Sequence, residues 1–466
     1  MTTGEYKSEA FATPVDSLLD RVEKSMQNDL VPAEIFNSEE VFRAEMERIF
    51  TRVWVFVAHE SEIPNAGDFV QRRIGMDPVI VTRGGDGAVN VLSNYCRHRG
   101  SQVCQTDAGN SRFFTCPYHG WTYSNDGTLV GTPMMHKAYG EPLDPNLWSL
   151  KKAPKVQSHN GFVFASLSDD VPPLEEWLAG GAGWMLDIIT KLSPAGMRVA
   201  GPPERYIVHG DWKTAGENFA GDVYHLPTLH FSVQEVEMIQ GIQATCDISA
   251  TYEFDNGHSF IGHKWTEVIG DFFSYWGYGA VPGYAENFDL SEYDDTAKWV
   301  AEHCPPTVGT IFPNFSFIRI FSPLPDGPPG VFTSFRQWQP VAPGKIELWN
   351  WQFVWNFQDE ESAQRDYVGG QYCFGSAGLF EQDDTVAWEG VQRAAASPWM
   401  RKEGLEFNYQ QGQKSPIDLS PDPEWKGPGI HRNTTYGEYV QFNFLRQWLK
   451  TMRENAPKGI EKGIES

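Results

Sequence analysis

Between positions 17 and 53 apolar residues recur every three or four places, at Leu18, Leu19 and Val22 and again at Phe42, Met46, Ile49 and Phe50. That spacing marks one face of a helix, and the segment is expected to be helical. From Trp54 to about Leu167 the period shortens to alternation, in PVIVTR, AVNVLSNYC, RFFTCPYHGWTY and GFVFASL, separated by the turn formers RGGDG and SNDG. These are the strands of a small antiparallel domain. SDDVPPLEEWL then opens a helix, and FSFIRIF, VFTSFRQW and ELWNWQFVW follow as strands set among helices. Tyr439, Phe442, Leu445, Leu449 and Met452 share one face of an amphipathic helix that closes the fold. No repeat and no low-complexity segment is present.

Length and composition narrow the picture. At 466 residues the chain exceeds one ordinary core, so two domains are expected. With 30 Phe, 17 Trp and 17 Tyr against 21% charged residues, it reads as well packed. The net charge of −24 is spread along the chain, as a solvated acidic surface would be, and makes nucleic acid an unsuitable partner. MTTGEYKSEA lacks the basic and apolar parts of a leader, and no run of about 18 apolar residues offers a membrane span. A cytoplasmic protein with no membrane association is expected. Six cysteines are too few for a disulfide scaffold in a chain this long, so the thiols are expected to be reduced or metal-bound.

Inside the β domain, CRHRGSQVC and TCPYHGW place Cys96 and His98, 17 intervening residues, then Cys116 and His119. Two cysteines and two histidines suit one tetrahedral zinc, but zinc modules pair cysteine with cysteine at short spacing. Here each loop gives one of each. That pattern suits a [2Fe–2S] cluster with both thiolates on one iron and both imidazoles on the other. With Pro117, Gly120 and Trp121 also in place, the segment resembles the Rieske family. Cys104 is outside the pattern and is expected to be a buried apolar residue.

A second constellation lies in FAGDVYHLPTLH. At helical spacing Asn218, Asp222 and His225 form one stripe. His230 stands off it, since five residues turn a helix by roughly 140° past a full turn. Pro227, between the histidines, is expected to bend or end the helix and bring them together. By themselves two nearby histidines are more often ordinary polar residues. The longer run DWKTAGENFAGDVYHLPTLH, however, resembles the signature of aromatic-ring-hydroxylating oxygenases, the large-subunit relatives of naphthalene and biphenyl dioxygenases. The resemblance implies that His225 and His230 bind mononuclear iron. It draws in FGSAGLFEQDDTVAW, whose second aspartate, Asp384, would be the third ligand. Spacing alone cannot choose Asp384 over Asp383. A ferrous centre with two imidazoles and a carboxylate keeps cis positions open for O2.

The resemblance runs over almost the whole chain and implies an α+β fold. An antiparallel Rieske domain (54–168) would be inserted into a catalytic domain of antiparallel sheet covered by helices, the helix-grip-like arrangement. Residues 1–53 would form the catalytic domain's helical start and 169–466 its mononuclear-iron part. Asp222, with Asn218 beside it, would be catalytic, joining His225 to His119 of a neighbouring copy. Phe219, Leu226, Phe374 and Phe380 would line the substrate site. The implied reaction adds both atoms of O2 to an aromatic, in particular polycyclic, hydrocarbon to give a cis-dihydrodiol. Its electrons would come from NAD(P)H through a reductase and ferredoxin, with a small beta subunit completing an α3β3 assembly. Related enzymes also exist as α3.

Alternatives stay open at this point. Arg319 shares an aromatic strand face with Phe315, Phe317 and Phe321. It either pairs with an internal acid or holds the carboxylate of a substrate such as phthalate or benzoate. A monooxygenase or demethylase would use the same metal ligands. An electron carrier would need only the cluster and would have no use for His225, His230 and Asp384. The basic run LKKAPK either docks an acidic ferredoxin or is a solvated lysine cluster.

Overall fold

The computed structural model describes residues 14–178, 180–235, 245–264, 277–279, 281–324 and 326–456. The segment MTTGEYKSEA lies outside them.

The N-terminal segment is largely helical, in Pro14–Met26, a short turn Ala33–Phe36, and Glu39–Glu45 continued by the wider-wound Met46–Phe50. Pro14–Met26 and Glu39–Glu45 are separated by the short strand Leu30–Pro32, which pairs antiparallel with Glu406–Asn408. The continuous helix expected over 17–53 is broken because Pro32 cannot donate to a helical ladder and Asp29 takes a left-handed backbone, φ 52°. Ser38 restarts the helix, its hydroxyl accepting from the Val41 amide at 3.3 Å. Leu18, Leu19, Val22, Ile49 and Phe50 are all buried, as their spacing demands.

Val55–His59 and Phe162–Ser166 pair antiparallel, so the chain enters and leaves the small β domain side by side. Between them lie a four-stranded sheet, built on Asp68–Ile74 and Asp77–Arg83, and a three-stranded sheet of Phe113–Thr115, Thr122–Ser124 and Leu129–Gly131. The turn signals sit where strands reverse, with Gly87 and Gly127 at φ 84° and 89°, a conformation that suits glycine. The lysines of LKKAPK are exposed, and Lys152 faces Asp126 at 3.8 Å.

The rest of the chain forms a nine-stranded antiparallel sheet. Its long centre is Lys345–Trp355, Gly330–Ala342 and Phe315–Ser322. The two faces of this sheet do different work. In the strand pairing Phe315 faces Gln337, Phe317 faces Phe335 and Arg319 faces Thr333, so these share one face. That face meets the small domain, where Phe315 stacks on Phe56 at 4.1 Å and Gln337 donates to the Phe56 carbonyl at 2.8 Å. The opposite face carries Ser316, Arg336 and Trp338 and packs on the helix Trp212–Gly221, with the Trp338 ring 4.8 Å from Phe219. The closing helix is Tyr439–Glu454; Phe442, Leu445, Leu449 and Met452 are buried while Tyr439, at its start, is exposed. All six cysteines are free, and among the described residues no helix is long and apolar enough to cross a membrane.

Candidate functional site

The helix Trp212–Gly221 is seated by buried charge. Asp211 caps it, accepting from the Lys213 amide at 2.9 Å. The Lys213 ammonium, wholly buried, reaches Glu45 at 2.6 Å and Asp211 at 2.7 Å, and Glu45 also accepts from the Trp212 and Trp448 indoles at 3.0 and 2.8 Å. One buried cation thus locks the N-terminal segment and the closing helix to the helix that leads into the site.

That helix stops at Gly221, and the stripe Asn218–Asp222–His225 is not one continuous helix. Asp222 leaves helical geometry at ψ 84°, and a one-turn helix Leu226–Leu229 follows, flanked by His225 and His230. Pro227 starts this turn rather than bending a longer one, a place where its missing N–H costs nothing. The outcome is the expected meeting of the histidines: their Nε2 atoms lie 3.1 Å apart. Asp384, from the helix Leu379–Ala396, brings its Oδ1 to 3.5 Å from His225 Nε2 and 3.3 Å from His230 Nε2.

Among the described residues, only these three bring metal-ligating atoms within 4.8 Å of one another. Asp384 Oδ1 is buried and accepts no hydrogen bond, which is the state of a carboxylate shaped for a cation. Burial alone would lower the His225 imidazole, but Asp222 and then Asp384 push it up to about 9. The site therefore favours positive charge, and two imidazoles with one carboxylate are a donor set that suits a divalent metal such as iron.

Both histidines are held from behind by carboxylates. Asp222 Oδ2 lies 3.3 Å from His225 Nδ1 and takes a 3.4 Å contact from the Asn218 amide. Asp383 Oδ2 lies 3.4 Å from His230 Nδ1 and accepts from the Ser232 hydroxyl at 2.6 Å. Such contacts set ring orientation and raise ligand basicity. Structure separates the two aspartates that spacing could not: Asp384 points between the histidines, Asp383 behind one of them. Phe380 meets the His230 ring edge-on at 4.9 Å and stacks on Phe374 at 5.4 Å. Leu226 packs against Val223, Cys246 and Ile261 and also against the main core that holds Phe219, Phe374 and Phe380.

In the small domain the two motif loops are built alike. Gly100 N donates to the Cys96 carbonyl and Gly120 N to the Cys116 carbonyl, each at 2.9 Å, with the two glycines at φ 74° and 72°. Both thiols are buried. The His98 and His119 rings sit 4.4 Å apart nearer the surface, and His98 stacks on Trp121 at 5.1 Å. His98 Nδ1 is buried with no hydrogen-bond partner, and desolvation, with His119 and Arg99 nearby, holds this imidazole below its ordinary value. That shift favours the neutral form, the one in which an imidazole binds metal. The four donors do not converge on a single point, which suits a two-iron cluster and not one zinc. Cys104 makes no part of this set; its amide donates to Asn94 at 2.8 Å.

Arg319 lies away from the histidines. It is fully buried on the face that meets the small domain, donating to Thr333 at 2.7 Å and to the Ile189 carbonyl at 3.1 Å. The sheet separates it from the histidines, so it does not hold a substrate there. The arginine on the site's side is Arg336, which pairs with Glu381 at 2.6 Å, one turn before Asp384. Alternation within FTSFRQW put it opposite Phe335, but nothing in the sequence said which face would meet the histidines.

Comparison with known proteins matches both domains. Residues 53–154 match the Rieske [2Fe-2S] domain model and residues 199–411 the ring hydroxylating alpha subunit catalytic domain model. The chain is 49% identical, over 95% of both chains, to the N,N-dimethyl phenylurea N-demethylase subunit alpha of a Sphingobium species. It is 32% identical, over 89% of both, to the large oxygenase component of the naphthalene 1,2-dioxygenase system of Pseudomonas aeruginosa. Its structure matches naphthalene 1,2-dioxygenase from Rhodococcus sp. bound to indole with TM-score 0.85 at 33% identity, covering 96% of this chain and 100% of that one. With both domains matched and relatives aligned over nearly the whole chain, the chain belongs to the ring-hydroxylating Rieske non-haem iron oxygenase alpha subunits, oxidoreductases that carry a [2Fe–2S] cluster and a mononuclear iron.

Proposed function

We propose that Cys96, His98, Cys116 and His119 hold the cluster and that His225, His230 and Asp384 hold the iron. Residues 54–168 form the electron-delivering unit; 1–53 and 169–466 together form the catalytic one. When bound, the cluster supplies electrons singly and the iron supplies the centre at which O2 is activated. The chain's own groups do the rest. Asp222 fixes His225 through Nδ1, and in an assembly of copies it reaches His119 of a neighbour. Asp383 fixes His230. Phe219, Phe374 and Phe380 present flat apolar surface and exclude water.

The reaction we assign is oxidative removal of a methyl group from the nitrogen of an aryl-bearing substrate, fed by NAD(P)H through a reductase and ferredoxin, with a small beta subunit beside the chain. A methyl C–H becomes C–OH, O2 and two electrons with two protons also giving water, and the resulting N–CH2OH group breaks down to N–H and formaldehyde. The observation that carries this reading is the 49% identity, without large gaps in coverage, to a phenylurea N-demethylase alpha subunit.

A second reading, cis-dihydroxylation of an aromatic hydrocarbon, is supported by the wholly aromatic Phe219, Phe374 and Phe380 set and by the likeness to naphthalene dioxygenase. An aromatic-carboxylate substrate has lost its support, since Arg319 lies on the far face of the sheet. A simple electron carrier would leave the convergent His225, His230 and Asp384 without purpose.

The test is product analysis. The reconstituted system is given an N,N-dimethylphenylurea or naphthalene, and formaldehyde and diols are quantified. Formaldehyde in step with O2 uptake is expected from the urea; a diol from naphthalene with no formaldehyde from any N-methyl substrate would replace this reading by the second.

A further inference from the structure

Arg336 lies at the junction of three elements that frame the iron site. It stands on the strand Gly330–Ala342 with its side chain fully buried. Its Nη2 donates to Glu381 at 2.6 Å, on the helix that carries Asp384. The same nitrogen meets the carbonyl of Phe374 at 3.3 Å, the last residue of the helix Glu360–Phe374, and the Tyr206 hydroxyl at 3.1 Å. Asn350 supplies the Phe374 carbonyl with a second donor at 3.0 Å. The guanidinium carbon lies 5.4 Å from the ring centres of both Phe219 and Phe374 and 5.1 Å from that of Trp338. Phe219 belongs to the helix that leads to His225.

A buried cation in such a place needs compensation, and here it is divided. Glu381 balances the charge. Nε and Nη1 find no hydrogen-bond acceptor among the described residues, so that part of the cation is served by the faces of the aromatic rings. The rings are fixed in return, because turning either Phe219 or Phe374 away would strip the guanidinium of one of the three ring faces, with Trp338, that cover it.

We infer that Arg336 is a positioning residue for substrate selectivity, a group that sets both Phe219 and Phe374 relative to the iron ligands. This rests on the reading of Phe219, Phe374 and Phe380 as the substrate wall. From Phe374 the arrangement passes by stacking to Phe380, and from Phe380 by its edge contact to His230. Displacing the guanidinium displaces the wall while leaving every metal ligand in place. Lysine cannot substitute, since a compact ammonium lacks the planar fork that bonds and stacks at once.

Arg336→Lys is the test, with Phe374→Ala alongside it. Both are loaded with iron and assayed with an N,N-dimethylphenylurea, and binding of that urea to the resting protein is measured by calorimetry. Arg336→Lys is expected to keep its iron and its cluster spectrum, to weaken urea binding and raise KM by about tenfold, the consequence of losing one carbonyl contact and the ring stacking. Its kcat should fall less than KM rises, and more O2 should be consumed per product formed. If Phe374→Ala weakens binding but Arg336→Lys does not, the inference is overturned while the wall survives. If Phe374→Ala changes neither binding nor KM, the wall itself is misread. Should Arg336→Lys fail to fold, the joint variant Arg336→Gln with Glu381→Gln, which leaves no lone buried charge, answers the same question: unchanged urea binding in it also overturns the inference.

Discussion

His258 supports the catalytic unit through two hydrogen bonds that only one form of its ring can make. Nδ1 accepts from the Phe312 amide at 3.0 Å, and Nε2 lies 2.8 Å from the Trp177 carbonyl, to which it must donate. A neutral imidazole protonated on Nε2 satisfies both; an imidazolium has no acceptor left for Phe312. The ring is wholly buried, and desolvation pushes it down from 6.5 to about 4, against a weaker opposite pull from the Trp177 carbonyl. Because the folded value lies below the unfolded one, the unfolded chain binds the extra proton between these two pH values. The contribution to stability is therefore complete above pH 6.5 and is lost as pH falls through about 4. At about 1.4 kcal/mol per pH unit this is about 3 kcal/mol. His258→Gln keeps one donor and one acceptor but does not titrate there. Urea unfolding of both proteins across this range should show the advantage of the natural protein over the variant shrinking by about 3 kcal/mol from neutral to acid. A pH-independent difference, or a His258 ring that titrates near its ordinary value in NMR, would refute the reasoning. The matter reaches the site, since the Phe312 ring lies 6.2 Å from Trp212 at the start of the helix that leads to the histidines.

Other substitutions separate the remaining roles. Asp384→Ala should lose mononuclear iron and turnover while keeping the cluster spectrum, as metal analysis and absorption will show; full activity would contradict its role. Asp383→Asn should retain turnover at saturating iron but weaken Fe(II) binding by about 10- to 100-fold in a titration of the apo site, the usual cost of losing a group that orients a ligand. Asp222→Asn should keep both metals and abolish turnover; single-turnover kinetics after chemical reduction of the cluster would reveal an intact electron route if the assignment is mistaken. Lys213→Met strands two carboxylates in the core and should cost about 3–5 kcal/mol in chemical denaturation, with much of that recovered by adding Glu45→Gln.

What could be read before any coordinates was chemistry with a local signature. Cys96, His98, Cys116 and His119 announce themselves through spacing, and the alternating segments around them mark the strands because hydrophobic period is a local property. The meeting of His225 with His230 was legible for the same reason, although the proline works as a helix start instead of a bend. The split between Asp383 and Asp384 was not, since two adjacent carboxylates differ only in the direction a helix gives them. Arg319 and Arg336 show the harder limit. Alternation places each correctly among its strand neighbours, but which side of a sheet meets which helix is decided by contacts between residues far apart in the chain. The break at Leu30–Pro32 likewise depends on a partner strand at Glu406–Asn408.

The neighbouring aspartates carry a consequence for how this enzyme can change. Each step along a helix swings a side chain by about 100°, and here both bearings are in use, one toward the metal and one toward the back of His230. Glu381, paired with Arg336, lies on the same helix three residues before Asp384. Inserting or deleting a single residue between Glu381 and Asp383 would thus turn both carboxylates off target together, so diversification of this enzyme by indels should be confined to segments outside that short arc, with point substitutions its only route within.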